Sequence, residues 1–423
     1  MKLAKLLPSS ASAELLTVHN QVTEVSYAGN EFERISRTDI TNQTLRVQQD
    51  GRIVTIASSR PGSEEDMVQK ALASIRFGAP YSVPFVSDTD IASMNLVDEA
   101  DWSAEELIAC VDKLVQEIRG IDDRLVVGST LRASKQIVHL TTSNGFDHSF
   151  TKTMWSCFGA IELVQGDDLL SMYKFQVGLG PNLDFAAITS ELKRVLGFSE
   201  NVVPFTAGAY PVLFVPNEVG HIITPFTSSL NGLSMYREIS PWNNQLGTLQ
   251  LDPRFTLIDD GSADGEVASQ PFDTEGTPTQ RNVLIDQGCP HTMLLDRRVG
   301  QLMNLPSTGN AGAGSPAPHR LCITPGSQGV DHLIKSMDYG MIVYSSMGAW
   351  SGNPFTGVVS GSISHGLKVE KGEIVGRVKD SMFTVNSFQH FRDHLIDMSH
   401  HAYAVGGNSF PYILLDQVVI SAK

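Results

Sequence analysis

The sequence predicts an α+β protein of two parts. The first is an N-terminal α/β domain of antiparallel hairpins and helices over residues 1–200. The second is a mainly antiparallel β-rich domain, barrel- or sandwich-like, over residues 201–423. Three observations predict this. Turn-punctuated β-rich runs alternate with three helical stripes in the first half. The second half breaks into short strands and is richer in Gly, Pro, Ser and Asn. The composition changes over 198–207, which places the boundary.

Residues 42–48 and 52–57 are β-rich, and Asp50-Gly51 between them is a hairpin turn signal. Ser63 opens a helix whose stripe is Met67, Ala71, Leu72 and Ile75, stopped by Gly78. Residues 79–102, rich in Pro, Asp and Ser, read as a long surface connection. Ser103 with Glu106 spells a capping box, and Leu107, Cys110, Val111, Leu114 and Ile118 follow at helical spacing up to Gly120. Strands are expected near 124–132 and 136–142, then a tight turn at Ser143-Asn144-Gly145 into a strand pair through 165. A third helix is expected from about 184 to 196, with Phe185, Ile188, Leu192 and Val195 inward and Gly197 as its stop. In the second half, Tyr210 to Val215 is an apolar strand, and strands near 280–286 and 291–295 flank Asp286-Gln287-Gly288. Residues 304–318 are Gly/Ala/Pro/Ser-rich and read as a disordered or a binding loop. Later strands fall near 319–324, 339–345, 356–369, 373–384 and 411–420, with a helix near 386–398.

The chain has 423 residues with 31 Lys and Arg against 46 Asp and Glu, a net charge of -15. That balance repels phosphate backbones and anionic bilayers, so neither nucleic acid nor membrane is an expected partner. No apolar run approaches the length of a membrane span, and the apolar stretch of the opening MKLAKLLPSSASA is cut by Lys5 and Pro8. Cys110, Cys157, Cys289 and Cys322 form no C-x-x-C pair and are too sparse for a disulfide scaffold, so a cytoplasmic location is expected. Cys110, Cys289 and Cys322 read as packing residues. No G-x-G-x-x-G, P-loop or G-x-S-x-G occurs, which leaves dinucleotide binding, P-loop and α/β-hydrolase chemistry unsupported.

Several segments then resemble one family in its own order, from about residue 40 to 420. These are Leu45-Arg46-Val47 to Asp50-Gly51, Ser143-Asn144-Gly145, Phe272-Asp273-Thr274-Glu275-Gly276-Thr277-Pro278-Thr279-Gln280-Arg281, Ser307-Thr308-Gly309-Asn310-Ala311, Pro325-Gly326, and Ser362 to Gly376 with its Gly372-Glu373 turn. Each alone is weak; the set resembles the TldD/PmbA family, known as modulator of DNA gyrase or microcin-maturation peptidase. Family members open with a helix before the first strand, and here that helix is absent or reduced. TldD-like members are metallopeptidase subunits with an H-E-x-x-x-H helix and a late Cys ligand. PmbA-like (TldE) members share the fold, lack those ligands, and pair with TldD to degrade unfolded or small peptides. The resemblance implies a peptide-holding second domain, with a cleft containing Asp273, Glu275, Gly276, Thr277, Ser307, Thr308, Gly309 and Asn310.

A catalytic zinc needs about three protein ligands, an open water position, and a carboxylate to take the water's proton. The matching segment is Pro216-Asn217-Glu218-Val219-Gly220-His221. With His221 on the last position of the motif, Pro216 and Asn217 stand where His and Glu belong; with Glu218 on the Glu, Asn217 takes the first His position and the second His falls one residue short. No Cys follows Cys322; Ser399-His400-His401 stands where the late ligand is expected. His390 and His394 sit at i, i+4 and read as a solvated flank of their helix. The motif is therefore broken, and the leading expectation is a PmbA-like, metal-less partner subunit. It would bind peptide and pair with a TldD-like subunit, or with itself. Zinc is then expected only in the partner. The alternatives are an active metal-dependent hydrolase with a substituted site, His221 with His400 or His401 as ligands and Glu218 as base, and a non-enzymatic peptide-binding module.

Overall fold

In the computed structural model, residues 3–98, 102–166, 168–349 and 351–422 are described. Seven strands make the first sheet: β1 (Ala11–Ala28), β2 (Glu31–Gln49), β3 (Arg52–Ser58), β4 (Ala79–Pro80), β5 (Val126–Thr142), β6 (Asp147–Gln165) and β7 (Asp168–Gly178). Their order is β4-β3-β2-β1-β5-β6-β7, antiparallel throughout. The Asp50-Gly51 turn joins β2 to β3 with both residues at positive φ, as a two-residue hairpin requires. Helix α1 (Glu64–Ser74) packs Met67, Val68 and Ala71 on β2 and β3. Helices α2 (Ala104–Arg119) and α3 (Phe185–Ser199) lie side by side on the sheet, contacting β1, β5, β6 and β7, and their stripes meet Trp155, Cys157 and Ile161 of β6.

The second sheet has eleven strands: β8 (Gly208–Phe214), β9 (Leu257–Asp260), β10 (Arg281–Asp286), β11 (Cys289–Pro290), β12 (Leu321–Ile323), β13 (Tyr339–Met347), β14 (Val358–Glu370), β15 (Glu373–Val378), β16 (Ser381–Asn386), β17 (Leu395–Val405) and β18 (Asn408–Ala422). Strand β8 pairs with β13 on one side and β18 on the other, so β8-β13-β14-β16-β18 closes into a five-stranded barrel. Closure leaves those strands no free edge. Val212, Phe214, Met341, Val343, Phe383, Ile413 and Leu415 are at most 1% exposed in the main core cluster of this half. The chain is thus α+β, with a helix-backed antiparallel sheet followed by a barrel-centred β-rich half.

Several elements differ from the sequence expectation. The two strands expected at 124–142 are one, because residues 132–137, with the polar Arg132, Ser134, Lys135 and Gln136, sit in a ladder paired on both sides. The run 373–384 is two strands parted by a turn at Asp380, which has φ 49. Residues 291–295 form no strand: pairing stops at Pro290, which lacks a ladder donor. The helix expected to reach 398 ends at Asp393, and β17 begins at Leu395. His390 is 7% exposed, not solvated; its ring bonds the carbonyls of Asn386 and Gln417. The connection after α1 is anchored, since Tyr81, Val83, Phe85, Val86 and Leu96 are all buried; its residues 99–101 lie outside the described residues. A single 3-10 turn, Leu3–Leu6, precedes β1.

Candidate functional site

The broken motif forms a short helix, α4 (Pro216–Ile222), directly after barrel strand β8. Pro216 takes the first turn, where its missing N–H costs nothing. Glu218 is 3% exposed, and both of its oxygens are engaged by one residue of β13: Ser346 N at 3.2 Å and Ser346 Oγ at 2.5 Å. Burial pushes this carboxyl above its usual range. His221 is half-buried on the next turn, within electrostatic reach of Glu218. His400 is exposed, with Nδ1 at 3.0 Å from the Gln328 carbonyl; His401 is exposed and stacks edge-on with Tyr403. Among the described residues, no three His, Cys, Asp or Glu side chains come together to hold one ion. The residues present therefore do not fit the zinc site of the metallopeptidase motif.

The eight residues of the expected cleft are brought together, but as a braced wall. Asp273 is 1% exposed; it accepts from the main-chain N–H groups of Glu275, Thr277 and Ala311 at 2.9, 3.0 and 2.8 Å. Burial pushes its carboxyl up to about 7. Glu275 reaches across to the first sheet, where Arg46 Nη1 donates to it at 3.0 Å. Gly276 has φ +77, and a Cβ there would stand 2.7 Å from Val86 and 3.0 Å from Leu140. Asn310 is 0% exposed and donates to Asp259 at 2.6 Å, while Ser307 and Thr308 donate to the Leu295 carbonyl. The Gly/Ala/Pro loop is therefore held by its own polar side chains.

A cavity of about 70 Å³ opens elsewhere, between the two halves at the start of α4. Tyr173 and Lys174 of β7, Glu191 and Leu192 of α3, Asn217 of α4, and Tyr344, His365, Tyr403 and Tyr412 of the barrel half line it. Tyr173 and Tyr403 are 51% and 38% exposed and form the mouth; His365, at 2%, forms the floor. Two bulges aim the floor residues. Strand pairing steps from Val343–Gly366 to Ser345–His365 and then to Ser346–Ile363, which leaves Tyr344 and Ser364 unpaired. Tyr344 is thereby turned toward α3, where Arg194 donates to its hydroxyl at 2.7 Å while forming a two-point ion pair with Glu191. Burial pushes the Tyr344 phenol up to about 12. His365 meets Tyr344 edge-on and bonds Ser199 Oγ at 3.0 Å; burial and the neighbouring Arg377 hold its imidazole down to about 4. Arg377 clamps the halves together by pairing with Asp168, which Lys379 also meets at 2.6 Å. None of the eight cleft residues lines this cavity. The sequence carried no signal for it, because its walls come from seven separate elements.

The profile of the PmbA/TldA metallopeptidase C-terminal domain matches residues 207–422, which span β8, α4, the cavity floor and the barrel. The chain belongs to the PmbA/TldD metalloprotease family. It is 24% identical to a PmbA homologue from Haemophilus influenzae over 86% of this chain and 82% of that protein. A TldD homologue from Buchnera aphidicola subsp. Acyrthosiphon pisum is 28% identical, over only 41% of this chain and 35% of its own length. In fold, the chain is similar to TldE from Thermococcus kodakarensis, with a TM-score of 0.91 at 20% identity over 99% and 98% of the two chains. A protein from Thermotoga maritima described as a modulator of a DNA gyrase gives 0.87 at 20% identity, covering 97% and 96%. These likenesses put the chain on the PmbA/TldE side of the family. Among the described residues, no helix is long and apolar enough to cross a membrane.

Proposed function

We propose that this chain is the non-catalytic subunit of a two-subunit, TldD/TldE-type peptidase. It holds unfolded or small peptides at the interdomain cavity and supports a TldD-like subunit that carries the metal. The observation that carries this reading is α4. Pro216 and Asn217 stand at the first two motif positions, and Glu218 is locked onto Ser346 in place of an activated water. Peptide capture has a structural basis in β7, the edge strand of the first sheet, which also supplies Tyr173 and Lys174 to the cavity. An edge offers unpaired main-chain groups, so a peptide gains affinity by strand addition without strict sequence demands. The same proposal includes pairing with a TldD-like subunit or self-pairing, and a cytoplasmic location, with no nucleic-acid partner.

The test is metal content and peptide cleavage of the purified chain, alone and mixed with a TldD-like subunit. The expected result is no stoichiometric zinc and no cleavage alone, with cleavage restored in the mixture. Zinc held by the chain alone, with cleavage that His221→Ala abolishes, overturns the proposal in favour of a rebuilt hydrolase.

A further inference from the structure

The outer face of the barrel carries an open patch whose residues the strand register places side by side. One row runs Met347, Ser362, Met382 and Ser421 across β13, β14, β16 and β18. The next runs Ser360, Thr384, Val419 and Ala209 across β14, β16, β18 and β8. Gly361, Phe383 and Ile420, which alternate with them along the strands, are buried in the barrel. Alternation therefore turns both rows outward. Met347, Met382 and Val419 are 65%, 46% and 49% exposed. Val358, two residues before Ser360 on the same strand, extends the patch at 46%.

The chemistry of the patch is narrow. None of its eight paired residues is charged, in a chain with 31 basic and 46 acidic residues. An ordinary surface puts about two charges among eight positions. Its polar members are all serine or threonine. Ser360 and Thr384 satisfy each other at 2.8 Å, hydroxyl to hydroxyl. Ser362 and Ser421 are exposed and make no side-chain hydrogen bond among the described residues.

These features select the occupant. Strands β8, β13, β14, β16 and β18 close on themselves, so the face has no free edge for an added strand. A partner meets side chains here, not main chain. A hydroxyl both donates and accepts, so a face of hydroxyls and apolar groups is complementary to itself. A two-fold contact demands that self-complementarity. At a net charge of -15, two copies repel through their charged surface, and the uncharged face is where they meet with least repulsion. Depletion of charge around exposed apolar groups is also the composition of an interface core. Five strands about 4.8 Å apart, with residues on one face about 7 Å apart, give a core of about 19 Å by 13 Å. A standard interface takes about 800 Å² from each partner, so the surrounding surface forms the rim and the dimer is a reversible one.

We propose that two copies of this chain pair through this patch, sheet on sheet about a two-fold axis. The inference rests on the self-pairing named above and assigns it a surface. None of the eight residues lines the interdomain cavity, so pairing here is independent of peptide held there.

The experiment is sedimentation equilibrium of the full chain, with no other protein present, from about 1 to 200 μM, the range of a reversible dimer. The average mass is expected to rise from that of one chain toward that of two. Raising salt from about 0.05 to 0.5 M is expected to tighten pairing several-fold, because it screens the repulsion between acidic copies. Met382→Glu forces a carboxylate into the contact and is expected to weaken pairing at least about a hundredfold. Leu249→Glu, at an exposed leucine outside the five strands, is expected to leave it unchanged. In the wild-type chain, the methyl resonances of Met347 and Met382 are expected to shift with concentration while that of the buried Met67 stays fixed, which tests the contact even if a variant fails to fold. A single-chain mass at every concentration, a dimer that salt loosens or that Met382→Glu leaves intact, or unmoved methyl resonances overturns the inference. So does a chain that stays single by itself while Met382→Glu blocks a TldD-like subunit, which assigns the face to that partner instead. The peptide-holding reading survives each of these results, since cleavage in the mixed sample decides it separately.

Discussion

Asp273 receives three main-chain N–H donors while 1% exposed, and no cation pairs with it among the described residues. Its carboxylate does the work of a turn's backbone: it ties Thr277 and Glu275 to Ala311 and so fixes the loop that carries Glu275 to the other half. Asp273→Ala strips the acceptor from all three donors. The expected loss is at least about 2 kcal/mol of unfolding free energy, read from urea denaturation. A change within the scatter of the measurement would mean the loop is held by its glycine and proline geometry instead. The importance of this residue was legible, since the Phe272–Arg281 segment stands out in the sequence; its bonds were not. His365 shows the opposite limit. Its partner Ser199 is 166 positions away in sequence, and nothing beside it in Ser-Ile-Ser-His-Gly-Leu marks it as the floor of a cavity. Local patterns report what the chain does over a few residues, whereas a site assembled from seven elements is set by tertiary packing.

The elements divide along the same line. Helix α2 was readable at its start because the signal is chemical and local: Ser103 Oγ accepts from Glu106 N at 3.2 Å, and Glu106 Oε2 accepts from Ser103 N at 2.7 Å. Ser103→Ala is expected to cost about 0.5–2 kcal/mol, a small downward shift in melting temperature without a change in fold. The stripe of α3 was readable for the same reason, with Ile188, Leu192 and Val195 buried as spaced. Strand β1 was not read at all. It runs 18 residues, Ala11 to Ala28, about three times the usual strand length, and its middle, Thr17 to Glu24, carries polar residues on both faces with Val18 and Val22 its apolar members. That stretch is a strand because β2 and β5 satisfy its main chain from both sides, register by register. Neither partner is visible in a window of sequence. Tyr344 is the same lesson inside a strand: alternation in β13 is broken by a bulge, so period-2 reasoning would assign its side chain to the wrong face.

At the scale of the whole molecule, the two halves meet through buried charge, and the count of charges is uneven. Arg46 of β2 donates to Glu14 of β1 at 2.8 Å and to Glu275 of the second half at 3.0 Å, so one guanidinium serves two carboxylates. Glu14 is 3% exposed, and its Oε2 has no hydrogen-bond partner among the described residues. Glu275 also accepts from the Arg297 main chain, and Asp273, Asp296 and Tyr81 stand within the same field. Burial, opposed by Arg46 and reinforced by Glu275, pushes the Glu14 carboxyl from 4.5 up to about 7. The folded protein therefore holds that proton more tightly than the unfolded chain does. The stabilisation this supplies is complete below the unfolded value of 4.5 and is lost as pH rises through about 7. Melting temperature is accordingly expected to fall across that window, and Glu14→Gln, which keeps an acceptor for Arg46 but no titrating group, to flatten the fall. The gap between variant and wild type should open as pH rises; parallel curves would place the titration elsewhere. Arg46→Met removes the cation that, among the described residues, bonds both acids, and about 3–5 kcal/mol is expected to go with it at neutral pH. Less should be lost in acid, where Glu14 is already neutral. Because Glu275 and Arg46 sit on opposite halves, the same variant should also loosen the halves relative to each other. Faster hydrogen exchange in β2 and in residues 272–281, ahead of the barrel strands, is the signature that separates a weakened interface from a weakened core.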